Sequence, residues 1–291
     1  MKLIDDITFF LEGEGFECSR HMHDGLEVIC VRIHGGKKPR TIIPLEISAG
    51  SPEEACTVSE AAFSVIGSIS RDEGYPLIIT EDRWYSQKAM TRARLLAHLE
   101  VFSQAFARNC EIRRIDRKEA QEFLEANHSY GHAACRYRYG MFLKRQTGHL
   151  AEGFPDSQGM TGVKLGTLIA VATFSNARKW IKGDKEIRSY EWTRFASLPG
   201  LRISGGMGKM LKTFINEVRP DDIMSYADLE WSEGSVYSAL GFSLEGRKDP
   251  VMFVVSTDRW QRAPVRSEME GNRYFRNFGS NKYRLKVTDY E

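Results

Sequence analysis

The sequence predicts an α/β (α+β) protein made of two parts, of which the second is built around a mixed sheet. Three observations lead to this prediction. Strand-like apolar runs alternate with amphipathic helical segments along the chain. Its 291 residues are enough for two domains of ordinary size. A glycine cluster joins a strand to an amphipathic helix in the second half, which is typical of α/β folds.

The composition is that of a globular protein, with 42% hydrophobic and 27% charged residues. No apolar run approaches the roughly 20 residues that a membrane span requires, so we expect no membrane partner. The N-terminal stretch carries acidic residues and lacks a secretory cleavage site. Five cysteines lie far apart without a CxxC pair, which disfavours both a zinc ribbon and a disulfide framework. The expected location is therefore a reducing cytoplasm.

The first part, residues 1–108, has the predicted element order α-β-β-β-α-β-α. Apolar residues at helical spacing alternate with strand-like runs that end at glycine-containing turns. Ser51 and Pro52 open the second helix in the manner of an N-cap and a first helical residue. We predict helices at 2–14, 52–72 and 86–104, and strands at 16–21, 26–33, 41–48 and 76–80.

The second part, residues 109–257, continues with a new strand and a helix that starts at Asp116, where Glu119 completes a capping-box pattern. Residues 144–164 are polar and glycine-rich and too long for a tight hairpin, which indicates a lid or a mobile loop. Residues 258–291 remain as a basic, aromatic tail. We predict strands at 111–115, 135–143, 165–174, 187–197, 223–228, 242–245 and 251–256, and later helices at 206–218 and 232–240.

A glycine-rich turn precedes the helix at 206–218. The first N–H groups of a helix have no partner inside it, and the helix dipole favours an anion there. Glycines allow a ligand to approach the backbone closely, and Lys209 adds a cation. The turn predicts a phosphate site, and a glycine-rich helix start without a ligand is the alternative. It reads Arg202-Ile203-Ser204-Gly205-Gly206-Met207-Gly208-Lys209.

The element order from about 110 to 257, half of the chain, resembles that of the GNAT acyltransferases. In that family the turn reads Gln/Arg-x-x-Gly-x-Gly/Ala, and its amides hold the pyrophosphate of CoA. Either alignment here has one mismatch, Met207 when the motif begins at Arg202 and Ile203 when it is shifted by one residue. The resemblance implies acetyl-CoA or another acyl-CoA as the cofactor. The implied contacts are Arg202, Ser204, Gly205, Gly206, Met207, Gly208 and Lys209.

Tyr237 carries the second resemblance to this family. It stands four residues before the glycine of the pair Gly241-Phe242, where many family members have a tyrosine that protonates the departing CoA thiolate. A phenol within hydrogen-bond reach of the sulfur can act as this general acid. The resemblance implies that Tyr237 is catalytic, and a tyrosine that only packs on a short helix is the alternative.

The segment around Ser225-Tyr226-Ala227-Asp228 resembles the phage DNA-modifying acyltransferases of the Mom type. It is also similar to the C-terminal domains of phage homing-endonuclease-like proteins, in which Asn-His likewise follows the first helix of the domain. Asp228, at a strand end, is a candidate general base or substrate anchor, and a structural turn residue is the alternative. Ser225, Tyr226, His128 and Arg194 are the further candidates for substrate contacts.

The order α-β-β-β-α-β of the first part resembles the core of restriction-endonuclease-like domains. The segment Thr80-Glu81-Asp82 is similar to the same place in very-short-patch-repair-type nucleases. Such enzymes hold Mg²⁺ with carboxylates and orient the attacking water with a lysine. Asp24 and Glu46 are the candidate ligands, but Ser48 stands where the lysine belongs. We expect an inactive relative of these nucleases, with no metal unless the nuclease hypothesis holds.

Two stretches, 88–118 and 259–286, are rich in basic residues, and aromatic residues interrupt the second. Basic residues pair with phosphates and aromatic rings stack on bases, so both stretches suit DNA or RNA, although a solvated face is the simpler interpretation. Three functions stay open at this point. They are an N-acyltransferase of the GNAT type with a nucleic-acid base as one acceptor, a Mg²⁺-dependent endonuclease with an accessory GNAT-like domain, and a non-catalytic DNA-binding protein.

Overall fold

The structure is a computed structural model that describes residues 2–33, 38–72, 74–145, 163–265 and 273–289. Its helices are α1 Leu3–Gly13, α2 Pro52–Asp72, α3 Glu81–Ser86, α4 Lys88–His98, α5 Arg117–Asn127, α6 Gly206–Val218 and α7 Ser235–Ala239. Its strands are β1 Glu17–His23, β2 Leu26–Arg32, β3 Arg40–Leu45, β4 Leu77–Thr80, β5 Ser103–Phe106, β6 Cys110–Arg114, β7 Tyr137–Leu143, β8 Leu168–Phe174, β9 Arg178–Lys182, β10 Lys185–Ser197, β11 Leu201–Ser204, β12 Asp222–Asp228, β13 Ser243–Lys248, β14 Met252–Val255, β15 Arg262–Pro264, β16 Arg273–Arg276 and β17 Ser280–Lys286.

The chain forms two compact units, and each is assembled from three segments. Unit 1 contains Met1–Leu95, Ala227–Ser235 and Gly246–Asn281. Unit 2 contains Leu96–Tyr226, Val236–Glu245 and Lys282–Glu291. The expected domain boundaries at 108 and 257 therefore do not coincide with the ends of these units.

Unit 1 holds a four-stranded mixed sheet in the order β1-β2-β3-β4. The first three strands are antiparallel neighbours, and β3 and β4 are parallel because α2 connects them as a crossover. The predicted order α-β-β-β-α-β is therefore present. Val65, Ile66 and Ile69 of α2 share one apolar cluster with strand residues and with Phe275 and Phe278 from the C-terminal segment.

The largest sheet has the order β13-β17-β12-β10-β8-β7-β6, with β9 paired to β10 outside this path. Strands β6, β7 and β8 are antiparallel neighbours, and β10 runs parallel to β12. The α6 helix packs on this sheet through Phe214, whose ring stacks on Phe174 with a centroid separation of 3.9 Å. The α5 helix contributes Phe123 and Leu124 to a second apolar cluster of unit 2. The predicted mixed α/β fold class is confirmed.

Several strands were not expected from the sequence. The helix predicted over 86–104 ends at His98, because Glu100 takes a positive φ of 69° and the chain then extends into β5. Strand β5 pairs in parallel with β11, which lies just before the glycine turn. Strand β9 forms a hairpin with β10. The predicted loop at 144–164 falls almost entirely outside the described residues.

Residues 258–291 are not a separate tail. Strand β16 pairs with β14, and β17 is inserted between β13 and β12 in the largest sheet. Four of the aromatic side chains that suggested base stacking are buried, and Trp260 is partly buried, so these rings stabilise the protein interior. The four are Tyr274, Phe275, Phe278 and Tyr283.

Within the described ranges, no helix combines the length and the apolar character that crossing a membrane would require.

Candidate functional site

Strands β10 and β12 are hydrogen-bonded over a short distance only. Their parallel ladder pairs Ser189 with Asp222, Tyr190 with Ile223 and Glu191 with Met224, and both strands continue beyond the last pair. A register shift between Trp192 and Arg194 marks a bulge on β10 where it continues beside β8. Beyond Glu191 and Met224, β10 and β12 therefore continue without a ladder between them.

Ser225 bridges the two strands directly after the ladder ends. Its hydroxyl lies 3.0 Å from the carbonyl oxygen of Trp192 and 2.9 Å from the hydroxyl of Tyr237. A hydroxyl has one hydrogen, so Ser225 donates to one of these oxygens at a time. When it donates to the carbonyl, which can only accept, the phenol can donate to Ser225. When it donates to the phenol, the Tyr237 hydrogen is available to another acceptor.

Tyr237 is held in place by aromatic rings of unit 2. Its ring stacks on Tyr283 at 5.3 Å and meets Trp192 and Phe242 edge-on. Burial raises the pKa of the Tyr237 phenol, and the hydrogen bond with Ser225 opposes this rise to a smaller extent. The phenol therefore keeps its proton at neutral pH, as a general acid must.

The glycine turn has the expected geometry at the start of α6. Gly205 adopts a left-handed conformation (φ 74°, ψ 5°) as the N-cap and provides no side-chain cap, so the amides of the first turn remain available by helix geometry. A Cβ on Gly206 would lie 3.0 Å from Ile203. A Cβ on Gly208 would lie 3.3 Å from the terminal methyl of Leu240, which directly follows α7. The glycine turn and the segment that carries Tyr237 are thus in contact.

Three polar side chains of this turn have other partners. Lys209 donates from Nζ to the carbonyl oxygens of Ala107, at 2.9 Å, and Cys110, at 2.5 Å. Ser204 Oγ accepts a hydrogen bond from Gln104. The guanidinium of Arg202 lies 5.1 Å from the ring of Phe102. An anion at this turn would therefore rely on backbone amides more than on the Lys209 charge that the sequence suggested.

Arg194 and His128, two of the expected substrate residues, meet at the loop that follows α5. Arg194 donates from Nε to the carbonyl of Gly131 at 3.0 Å and from Nη1 to the carbonyl of Thr193 at 2.8 Å. The Tyr130 ring lies 5.9 Å from the guanidinium carbon. The backbone N–H of Tyr130 donates to Nδ1 of His128 at 3.1 Å, so neutral His128 carries its hydrogen on Nε2.

Asp228 and Tyr226 are the other two candidate residues on β12. Asp228, at the end of β12, belongs to unit 1, where Oδ1 accepts the backbone N–H of Glu230 and Oδ2 lies 3.8 Å from Arg83. These are the contacts expected of a turn residue, the alternative role that the sequence left open for Asp228. The Tyr226 hydroxyl lies 3.7 Å from the sulfur of Met224.

An ion network in unit 1 was not anticipated. Arg262 is paired with Asp82, and its Nη1 donates to Glu230 Oε1 at 2.7 Å. Arg83 donates from Nε to the other oxygen of Glu230 at 2.9 Å, and Arg262 also donates to the Thr80 hydroxyl. Burial disfavours the charge of Glu230, but Arg262 and Arg83 outweigh it and lower the Glu230 pKa. The partners are too distant in sequence for any local pattern to reveal them.

The candidate metal ligands are engaged separately. Asp24 lies in the turn between β1 and β2, 3.7 Å from His23 Nε2, and Glu46 accepts the backbone N–H of Leu3 at 3.1 Å. Asp82, from the nuclease-like segment, belongs to the ion network. In the part of the chain that the structure describes, no group of three or more His, Cys, Asp or Glu residues could hold a metal ion.

Comparison with known proteins adds three structural likenesses. No family model matches this chain, and no curated protein matches it. The chain is similar to the crystal structure of a Corynebacterium glutamicum protein described as histone acetyltransferase HPA2 and related acetyltransferase. The TM-score is 0.28 and the identity is 12%, over 53% of this chain and 67% of that one. It is also similar to Eis1 from Mycobacterium abscessus, with TM-score 0.32 and 16% identity over 56% of this chain and 37% of that one.

The third solved structure is a mutant of the AtaT toxin bound to the C-terminus of the antitoxin AtaR and to acetyl-CoA. Its TM-score is 0.26, with 13% identity over 58% of this chain and 93% of that one. The chain spans little more than a third of the length of Eis1. From β6 to β14 the observed elements follow the order that the sequence predicted for this part of the chain, with β9 and β11 as additional strands.

Proposed function

We propose that this protein transfers an acyl group from acyl-CoA to an amine. The observation that carries the proposal is the convergence of two features in unit 2. The Tyr237–Ser225 pair lies where β10 and β12 stop pairing, and the glycine turn at the start of α6 touches the segment that carries Tyr237. A helix N-terminus with available amides and a buried phenol thus lie near the end of the β10–β12 ladder.

The first amides of α6 fit a pyrophosphate. Gly206, Met207 and Gly208 present N–H groups at the positive end of the helix dipole. Gly206 and Gly208 carry no side chain that could cover these amides, and Gly205 supplies the left-handed turn that aims them. Bound acyl-CoA would supply the activated thioester.

Tyr237 would act as the general acid. In the transfer, a carbon–nitrogen bond forms to the amine and the carbon–sulfur bond breaks. Tyr237 gives its proton to the leaving sulfur, and the proton that the amine nitrogen loses restores the phenol. Ser225 can donate to the phenol oxygen while Tyr237 donates elsewhere, and this bond stabilises the transient phenolate.

The acceptor is proposed at the level of an amine, and DNA or RNA bases remain acceptors to be screened. The aromatic residues of 258–291 that favoured nucleic acid are buried, and Arg262 and Arg284 are ion-paired. What supports a nucleic acid is the exposed hairpin of β9 and β10, where Trp180 lies among basic residues.

A thermal-shift titration tests the CoA assignment. Acetyl-CoA and desulfo-CoA should both raise the midpoint, whereas AMP should not. A ligand at about 100 times its Kd adds roughly 2.7 kcal/mol to stability, so even modest affinity is visible. No shift at millimolar acetyl-CoA would contradict the proposal.

Gly208→Glu and Gly208→Ala form a matched pair for the turn. A glutamate near a helix N-terminus stabilises the helix by about 0.3–1 kcal/mol, but it places a negative charge against the pyrophosphate. We expect Gly208→Glu to keep or raise the midpoint and to lose the shift with acetyl-CoA. Gly208→Ala, which needs only a small movement of Leu240, should keep the shift. Equal CoA affinity in both variants would remove the turn from the site.

Tyr237→Phe tests the acid. The variant keeps the ring stack on Tyr283 and loses only the hydroxyl. We expect acetyl-CoA binding to persist and kcat to fall by about 10²–10⁴-fold, the usual contribution of a general acid. An unchanged kcat would show that another group protonates the sulfur.

A further inference from the structure

Arg194 is a half-buried cation whose located partners are all neutral. Its two hydrogen bonds go to the carbonyl oxygens of Gly131 and Thr193. Among the residues that the structure describes, no carboxylate lies within ion-pair distance of it. Carbonyl groups orient a guanidinium without neutralising it, so Arg194 forms no ion pair, although Glu191 acts on its charge at longer range.

The two hydrogen bonds to carbonyl oxygens also fix the direction of the Arg194 side chain. A guanidinium has five N–H donors in a planar fork, and Nε and Nη1 are already committed. The Nη2 group has no hydrogen bond within the described part of the chain. Because the Nε bond anchors one edge of the fork on the loop, the remaining donors are pre-organised for a planar or tetrahedral oxyanion.

The position of Arg194 connects it to the proposed reaction. It lies on β10 directly after the bulge, two residues beyond Trp192, whose carbonyl is bonded to Ser225. The Trp192 indole donates to the carbonyl of Arg194 at 3.0 Å, and the same indole meets the Tyr237 ring edge-on. Trp192 therefore contacts both Arg194 and Tyr237, the proposed proton donor.

The loop that receives Arg194 contains a glycine in a left-handed conformation and a hydrogen bond between its own residues. Gly131 has a positive φ of 59°, and a Cβ there would collide with the Glu125 carboxylate at 2.7 Å. The backbone N–H of Tyr130 is held by His128. Tyr130 exposes 41% of its surface beside the guanidinium, so the Arg194 site borders solvent.

We propose that Arg194 binds an anionic group of the acceptor, so that the acceptor is an amine that also carries a carboxylate or a phosphate. This inference rests on the proposed acyl transfer and narrows its substrate class. Burial lowers the pKa of Arg194, with Glu191 opposing this, and an incoming anion would offset the desolvation of the charge.

The test measures release of CoA from acetyl-CoA with matched pairs of amines. β-Alanine is compared with propylamine for a carboxylate, and O-phosphoethanolamine with ethanolamine for a phosphate. We expect turnover with an anionic member and at least 10-fold lower kcat/KM with its neutral counterpart. The pair that responds identifies the anion. Preference for neutral or polycationic amines would overturn the proposal, as would no turnover with any anionic amine in protein that binds acetyl-CoA.

Arg194→Met and Arg194→Lys separate binding from chemistry. We expect Arg194→Met to raise the acceptor KM about 10- to 100-fold, with the KM for acetyl-CoA unchanged, and Arg194→Lys to recover part of the loss. Arg32→Met, at the exposed end of β2 in unit 1, is the matched control and should leave both KM values unchanged. Equal acceptor KM in wild type and Arg194→Met would refute the inference. A missing acetyl-CoA thermal shift in wild type would instead refute the acyltransferase function itself.

Discussion

Arg262 in unit 1 and Arg194 in unit 2 are both removed from solvent, but their surroundings differ in kind. Arg262 has a 10% exposed side chain and faces two carboxylates, Asp82 and Glu230. Arg194 faces two carbonyl oxygens. Burial disfavours the charge of both, yet the neighbouring carboxylates raise the pKa of Arg262, whereas the pKa of Arg194 is lowered.

The comparison indicates that the partners of a buried cation decide whether it stabilises the fold or remains able to bind a ligand. A buried charge that is fully paired holds its neighbours together, and removing one partner leaves the others uncompensated. A charge that is positioned without being paired contributes little to stability and keeps its capacity for a ligand. Stability measurements on matched substitutions should separate the two arginines.

The largest expected effect is that of Arg262→Met. This substitution leaves buried Asp82 without its counter-ion and removes one of the two cations of Glu230, so we expect the free energy of unfolding to fall by about 3–5 kcal/mol. Arg194→Met should lower it less, by about 1–3 kcal/mol, because it removes two hydrogen bonds to carbonyl oxygens but leaves no buried carboxylate without its cation. Urea denaturation of both variants makes the comparison.

A double variant checks the cause of the Arg262 effect. Adding Glu230→Gln to Arg262→Met removes part of the stranded charge, so the double variant should be more stable than additivity of the two single changes allows. Simple additivity would show that the Arg262 effect does not come from its interaction with Glu230. Equal losses of unfolding free energy in Arg262→Met and Arg194→Met would show that the two arginines contribute equally to stability.

Acid should weaken the ion network and spare the Arg194 loop. The pKa of Glu230 is lowered in the folded protein, so its contribution to stability is present above its unfolded pKa near 4.5 and is lost as the pH falls through the folded value. The stability difference between wild type and Glu230→Gln should therefore shrink below about pH 4.5. The difference for Arg194→Met should stay flat over the same range, and a parallel decline in both would contradict this.

Alkali should act through the buried tyrosines of both units. Burial is the main cause that raises the pKa of Tyr75 and of Tyr237, and Glu233 adds to it at Tyr75. A raised phenol pKa contributes stability that is fully present below the unfolded pKa of about 10. This stability is lost as the pH rises through the folded pKa. The loss is roughly 1.4 kcal/mol for each pKa unit that separates the folded from the unfolded state. Tyr75→Phe and Tyr237→Phe should each flatten the decline in unfolding free energy above pH 10. A slope equal to that of wild type would locate the alkaline transition elsewhere.

The smallest effect is expected at Tyr130. A cation–π contact at an exposed site contributes about 0.5–1 kcal/mol, and the 5.9 Å separation from Arg194 places it at the outer limit. Tyr130→Leu should thus lower the midpoint only slightly, and Tyr130→Phe should leave it unchanged. A loss as large as that of Arg262→Met would mean that the loop depends on Tyr130 for its structure.

Much of the fold follows from local sequence patterns. Helical periodicity predicted α1, α2 and α6, and the glycine cluster located the left-handed turn at Gly205. Tyr237 and Ser225 were each singled out from short motifs. Their mutual hydrogen bond could not be derived, because it depends on the packing of α7 against β12.

The remaining differences come from long-range pairing. Strand β11 is stabilised by β5, about a hundred residues earlier, and local propensity does not encode that register. Basic residues next to Phe275 and Tyr283 made 258–291 resemble a nucleic-acid-binding tail, because charge and aromatic content hide which side chains point inward. Arg262 and Asp82 are paired across an even longer gap in the chain.

The three-segment construction of unit 1 has a consequence for how the protein is made. A ribosome releases the chain from its N-terminus at about 5–20 residues per second, so the first sheet emerges well before Phe275, Phe278 and Arg262 exist. Until then the apolar face of α2 is incompletely covered and Asp82 has no counter-ion. Unit 1 must therefore remain partly open until residues 262–278 are translated, and a chain truncated after residue 108 or 257 is expected to aggregate.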